Sequence, residues 1–162
     1  MSNWRAFEDE VARSRDAGRA AELWWRDDDA ADAGPALDRL LSVQHETQVP
    51  LALAVVPATA TQALAARLVD ESGVDVLQHG YAHTNHAPAG EKKMELGAHR
   101  PAMLVLGDLG TGWMALERLF GARALPVLVH RGTESRPCSF QPCRRLAFAA
   151  SRRLGRGRGS SR

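Results

Sequence analysis

Short apolar runs alternating with stretches of helical periodicity constrain this 162-residue chain more than any other feature. Residues 51–56, Leu-Ala-Leu-Ala-Val-Val, form a continuous apolar run closed by Pro57, the pattern of a strand covered on both faces. Val74-Asp75-Val76-Leu77-Gln78 is the third strand candidate in chain order and leads directly into His79, and residues 124–129 are the fourth. Glu22-Leu23-Trp24-Trp25-Arg26 is the first strand candidate in the chain, with Asp27-Asp28-Asp29 following where it would end. Between these runs, residues 35–46 place Leu37, Leu40, Leu41 and His45 on one helical face, with Pro35 suited to the helix start. Thr59 or Thr61 can cap the next helix, which reaches to about Asp70 with Leu64 and Leu68 inward. Residues 87–97 read as a loop leading into a short helix. Residues 101–120 carry a longer helical pattern, weakened by Gly107, Gly110 and Gly112 and stopped by Gly121. Ahead of all this, residues 4–19 predict an amphipathic helix through Trp4, Phe7 and Val11, ending near Gly18. Strands alternating with helices imply βα units and a parallel sheet, in an α/β domain spanning residues 1–129.

Composition narrows the function classes. With 44% hydrophobic and 25% charged residues, the chain matches a globular protein. Its longest apolar stretch falls far short of the roughly 18 residues a membrane helix needs, and the first residues do not resemble a secretory signal. The expectation is a cytoplasmic protein with no membrane partner. Two cysteines, Cys138 and Cys143, exclude a disulfide scaffold. The charge is split. Residues 1–129 hold 12 Lys and Arg against 18 Asp and Glu, whereas residues 130–162 hold nine Arg, no Lys and one acid, Glu134. An acidic body argues against a nucleic-acid-binding domain.

In parallel α/β folds, ligands gather at the carboxyl ends of the strands. There the sequence places Arg26-Asp27-Asp28-Asp29-Ala30 after the first run and His79-Gly80-Tyr81-Ala82-His83 after the third. Three adjacent carboxylates repel one another unless solvent or a cation offsets the charge. A solvated acidic loop is the plain reading of that cluster taken alone, as polar loop histidines are for His83 and His86. Together the two segments suggest more, because neutral imidazoles and a carboxylate on one rim can share a cation and leave a position open. Glu91-Lys92-Lys93 reads as a solvated face.

These two motifs, in this order and each after a strand, resemble those of the polysaccharide deacetylases, the NodB-homology or carbohydrate esterase family 4 hydrolases. Arg26-Asp27-Asp28-Asp29-Ala30 is similar to their T-F-D-D-G motif, and His79-Gly80-Tyr81-Ala82-His83 to their H-[ST]-x-x-H motif, with Gly80 in place of Ser or Thr. The resemblance covers residues 20–130 and implies an incomplete (β/α) barrel. It further implies that Asp29, His79 and His83 hold Zn²⁺ or another divalent cation, and that Asp28 is the general base. A register shifted by one would use Asp27 and Asp28 instead. His86 falls outside the ligands, as a structural or supporting residue. The implied reaction is hydrolysis of N-acetyl or O-acetyl groups on a carbohydrate substrate. A non-catalytic metal- or sugar-binding remnant is the alternative.

The family pattern breaks after Val129. The resemblance predicts a later motif bearing an arginine that orients the base, and a late histidine acting as general acid. The matching strand in the similar subgroup is followed by a sequence like P-P-W-N-R-I-A. Written as GTG CCA CCG TGG AAC CGA ATC GCG C and deprived of one C after GTG, V-P-P-W-N-R-I-A becomes Val-His-Arg-Gly-Thr-Glu-Ser-Arg, the sequence of residues 129–136. Residues 130–162 are therefore expected to be an out-of-frame translation, disordered or loosely helical, on a domain of low stability. An alternative for the same segment is an RNA-binding tail, from Gly155-Arg156-Gly157-Arg158-Gly159.

Overall fold

The structure, a computed structural model, describes residues 4–20 and 23–130. The expected Arg-rich tail lies outside the described residues from position 131 onward, and so do Cys138 and Cys143. The chain divides into two units, the first containing residues up to Leu23 and the second beginning at Trp24. In the first, helix α1 spans Trp4–Asp16. Trp4 meets Phe7 edge-on at 5.8 Å, Arg13 pairs with Glu10, and Gly18, at φ 65°, turns the chain beyond its end.

The second unit is a four-stranded parallel sheet with helical crossovers: β1 (Trp25–Ala30), α2 (Pro35–Thr47), β2 (Leu51–Val55), α3 (Gln62–Leu68), β3 (Val74–His79), α4 (Ala102–Phe120) and β4 (Ala124–Val129). The α/β class and the parallel sheet are as the alternating runs imply. Strand order in the sheet is β1-β2-β3-β4. Each crossover thus steps the same way, and right-handed crossovers then place α2, α3 and α4 on one face. The core records that arrangement. Leu37 and Leu41 from α2, Leu64 and Leu68 from α3 and Leu116 from α4 pack with Leu51, Leu53, Val55, Val74 and Val76 of the central strands. Because strand side chains alternate, Leu77 and His79 of β3 look to the opposite face from Val74 and Val76.

The local boundaries have identifiable causes. Thr61, rather than Thr59, caps α3: its hydroxyl accepts from the Leu64 N–H at 3.1 Å and donates to Asp32 Oδ1 at 2.6 Å. Helix α4 runs unbroken through its three glycines. Gly112 is buried against Gln78 and Pro57 so closely that a Cβ there would lie 2.7 Å from Gln78 Nε2 and 3.0 Å from Pro57, which leaves room only for glycine. Gln78 in turn donates to the carbonyls of Gly80 and Leu109, tying the end of β3 to α4.

Two expectations are corrected. The first strand lies further along than 22–26, and the acidic run is inside it: Trp25, Arg26 and Asp27 pair with Leu51, Ala52 and Leu53. An edge strand with exposed positions 26–29 tolerates those charges, whereas Leu23 and Trp24 stay outside the ladder. The short helix expected after residues 87–97 is absent. Asn85 Oδ1 accepts from the Ala87 and Met94 N–H groups, and the His86 N–H bonds Met94 O, which folds the segment into turns instead.

At the opposite end of the sheet from the rim, Arg123 donates to the carbonyls of Val69, Glu71 and Val74. The Glu71 side chain is only 9% exposed and meets Arg67 and His45. Burial alone would raise the Glu71 carboxyl, but hydrogen bonds from Arg67 and His45 outweigh it and hold the group below its ordinary value of 4.5. A depressed carboxyl contributes stability above its unfolded value and loses it as pH falls through the folded one. Glu71→Gln is therefore expected to lower unfolding free energy by ~1–2 kcal/mol at pH 7. Urea melts should show the gap to wild type closing as the pH drops below about 4.5.

Candidate metal centre

All four strands run the same way, so the ends of β1, β3 and β4 share one rim of the sheet. Strict alternation would put Asp29 on the same face as Trp25 and Asp27, against α2. It does not stay there. The ladder with β2 shifts between Asp27 and Ala30, and Asp29 takes a left-handed φ of 69°. Such an irregularity re-aims a side chain. Asp29 Oδ1 thereby lies 3.1 Å from His79 Nε2 and 3.1 Å from His83 Nε2.

His79 is the last residue of β3 and is 3% exposed. Its Nδ1 sits 3.1 Å from the Val129 carbonyl, which also accepts the Gly80 N–H at 3.2 Å. A carbonyl can only accept, so the ring proton is on Nδ1 and Nε2 turns a lone pair toward the Asp29 carboxylate. Two acceptors at 3.1 Å repel unless a second proton or a cation stands between them. This pattern, with the far nitrogen fixed by a backbone carbonyl, is how proteins set a metal-binding imidazole.

His83 completes the group from the loop beyond β3, at φ 59°. Its ring crosses that of His79 with centroids 4.6 Å apart at 66°. The three donor atoms lie within 4.8 Å of one another. A tetrahedral ion with bonds of about 2.0 Å needs donors roughly 3.3 Å apart, so the set fits with small adjustments. One carboxylate and two imidazoles suit Zn²⁺. His79 and His83 are largely covered while Asp29 is exposed, leaving the approach open on the carboxylate side.

The other acidic residues do different things. Arg26 grips Asp28 with two contacts, Nε to Oδ1 at 2.7 Å and Nη2 to Oδ2 at 3.1 Å. Asp28 stands outside the donor group. Asp27, like Asp28 and Asp29, borders a cavity of about 570 Å³ that Trp25 and, from α2, Leu37 and Leu40 also line. Burial, then the charges of Asp28 and Asp29, push its carboxyl above the usual aspartate value. His86 contributes its N–H to Met94 O. Lys92 and Lys93 are exposed, as expected of a solvated face, and Glu91 pairs with His99 at 3.5 Å.

Three contributors escaped the sequence reading. Arg26 was detectable, since positions 26 and 28 of one strand share a face. The Val129 carbonyl carries no side-chain signal. Glu95, whose carboxylate accepts the Tyr81, Ala82 and His83 N–H groups, sits in an irregular loop without a motif. No family model, curated protein or solved structure matches this chain.

The geometry separates the two registers of the acidic run. Asp29→Asn is expected to abolish zinc binding, while Asp27→Asn keeps about one zinc per chain, measured by dialysis and metal analysis. Since the Asp27 carboxyl is raised, its ionisation weakens the fold above that raised value. The metal-free Asp27→Asn protein should therefore melt at a higher temperature than wild type at pH 7. The difference should vanish as pH falls below 3.8, where both forms are uncharged.

Proposed function

We propose that this chain is a metal-dependent hydrolase that removes N-acetyl or O-acetyl groups from a carbohydrate, built as part of a (β/α) barrel of the polysaccharide deacetylase type. The observation that carries the reading is the convergence of Asp29, His79 and His83 at the strand ends. The one-directional strand order supports the barrel, because it puts the helices outside and leaves Leu77 and His79 on the inner face.

Asp29, His79 and His83 would hold the ion, with Zn²⁺ favoured by the donor set. When bound, it supplies Lewis-acid polarisation of an acetyl carbonyl and brings the acidity of water into the neutral range. The chain's own groups then have distinct tasks. His79 is kept in one tautomer by Val129. Asp28 is the proton acceptor of the proposal: Arg26 orients its carboxylate through two contacts, and each oxygen keeps a second lone pair for the proton of the attacking water. The exposed flank at Asp29 leaves room for a surface sugar residue.

A second reading, a non-catalytic metal-binding module, draws on the same contact. Both Asp28 oxygens already face Arg26 rather than the metal group. The RNA-binding alternative rests on residues outside the described part.

Acetate release from N-acetylated or O-acetylated oligosaccharides, assayed with added Zn²⁺, distinguishes these readings. The hydrolase reading expects release to fall by about 10²–10⁴-fold in Asp28→Asn, with zinc content unchanged. It also expects both zinc and activity to disappear in the Asp29→Ala, His79→Ala double variant. Full zinc loading with no acetate from any of these sugars establishes the binding module; equal zinc content in wild type and double variant removes the metal centre.

A further inference from the structure

The left-handed loop that delivers His83 is held by something the metal group does not include. Glu95 is 3% exposed, deeper than Asp29 or His83. Its Oε1 accepts three consecutive backbone N–H groups, from Tyr81 at 3.1 Å, Ala82 at 2.6 Å and His83 at 3.1 Å. Consecutive N–H groups converging on one point form a concave anion site, a nest. Here the anion is supplied by the chain itself.

The loop conformation and the carboxylate fit each other. Gly80 and His83 flank the nest at φ 57° and 59°. A Cβ on residue 80 would lie 2.0 Å from Glu95 Oε2, so the space beside Gly80 is filled by this carboxylate. Only glycine satisfies both the backbone angle and the approach. Glu95 reaches the nest because Met94, just before it, is bound through its N–H to Asn85 Oδ1 and through its carbonyl to the His86 N–H. The segment from Gly80 to Glu95 therefore closes on itself. Oε2 has no hydrogen-bond partner among the described residues, so the side chain's polar contacts there are spent on the loop.

We infer that Glu95 is the positioning residue of the metal centre: it holds the backbone of residues 81–83 so that His83 meets His79 and Asp29. It stands outside the three-residue donor group. A left-handed residue such as His83 costs about 1–2 kcal/mol in an unsupported chain, and charge-assisted bonds from three N–H groups exceed that. Without them, His83 would visit the metal group only part of the time, and affinity would fall by that fraction. The inference rests on the metal reading of Asp29, His79 and His83, but the hold on the loop has its own readout.

The test uses the full chain, Zn²⁺ alone as probe, and amide hydrogen exchange on the metal-free protein. Glu95→Ala is expected to speed exchange at Tyr81, Ala82 and His83 while β2 and β3 amides keep their protection. Its zinc affinity should weaken by about 10–100-fold. Glu95→Gln retains an acceptor oxygen and the side-chain shape, and should recover most of the affinity with exchange at the same three amides intermediate. If Glu95→Ala loses sheet protection as well, Glu95→Gln alone decides. Unchanged exchange at residues 81–83 in the folded variants overturns the inference, as does unchanged zinc affinity in a wild type that binds zinc. A wild type without zinc affinity overturns the metal reading instead, and the exchange result then stands by itself for the loop.

Discussion

Two imidazole nitrogens and a carboxylate oxygen, at 3.1 Å contacts, must come together from chain segments that regular secondary structure would keep apart. Everything near the rim answers to that requirement. Strand alternation would leave Asp29 on the helix side, so a ladder shift and a left-handed backbone turn it across. His79 falls on the proper face by alternation alone, and β4 fixes its ring through the Val129 carbonyl. His83 lies beyond the strand altogether and depends on a backbone curled around Glu95. Three donors are thus delivered by three different devices. The two that depart from regular geometry coincide with the left-handed φ values at Asp29 and His83. Strained backbone of this kind persists where the surrounding contacts over-determine it.

The sheet supplies that over-determination on one face and frees the other for chemistry. Leucines and valines of α2, α3, α4, β2 and β3 fill the helix side, and truncating any one fully buried leucine there costs about 2–5 kcal/mol. On the opposite side β2 presents Ala52 and Ala54, small residues that leave β1 and β3 room to face each other across it. Parallel strands also align their polarity, so residues from β1 and β3 end at the same rim although β2 separates them. The site is a consequence of strand direction as much as of residue identity.

Much of this was legible in the sequence, and the exceptions are instructive. β2 was visible because a strand covered on both faces of a parallel sheet needs continuous apolar residues, and 51–55 supply them; 124–129 are apolar as well, and in 74–79 Val74, Val76 and Leu77 carry the signal between Asp75 and Gln78. β1 begins later than the apolar residues suggest because its pattern is charge, not hydrophobicity. An edge strand can carry Arg26-Asp27-Asp28-Asp29 with its side chains in solvent, so the apolar signal fell on Leu23 and Trp24, which remain exposed. The three candidate donors could be named because carboxylates and imidazoles are chemically conspicuous. What positions them could not. A carbonyl such as that of Val129 has no letter of its own, and a nest around Glu95 depends on backbone dihedrals in an irregular loop. The single hint was Gly80, a residue that admits a left-handed backbone and a close approach. The absent short helix after residues 87–97 belongs to the same difficulty, since Asn85 redirects that backbone through side-chain hydrogen bonds that propensity does not register.

β1 is an edge strand that a cation would secure. β1 gives the core only Trp25 and Ala30, both partly buried, and borders the sheet on a single neighbour. Its acids work against it further: Asp27 is pushed up by burial and by Asp28 and Asp29. Arg26 offsets one of those charges through Asp28, which leaves Asp29 as the carboxylate turned toward the imidazoles. An ion held there neutralises part of the repulsion and links β1 directly to β3, over the top of β2. Neither effect exists in the unfolded chain, where residues 29, 79 and 83 are far apart. Binding free energy at such a site would then be folding free energy for the edge strand, and the same three side chains that would serve chemistry would also close the sheet.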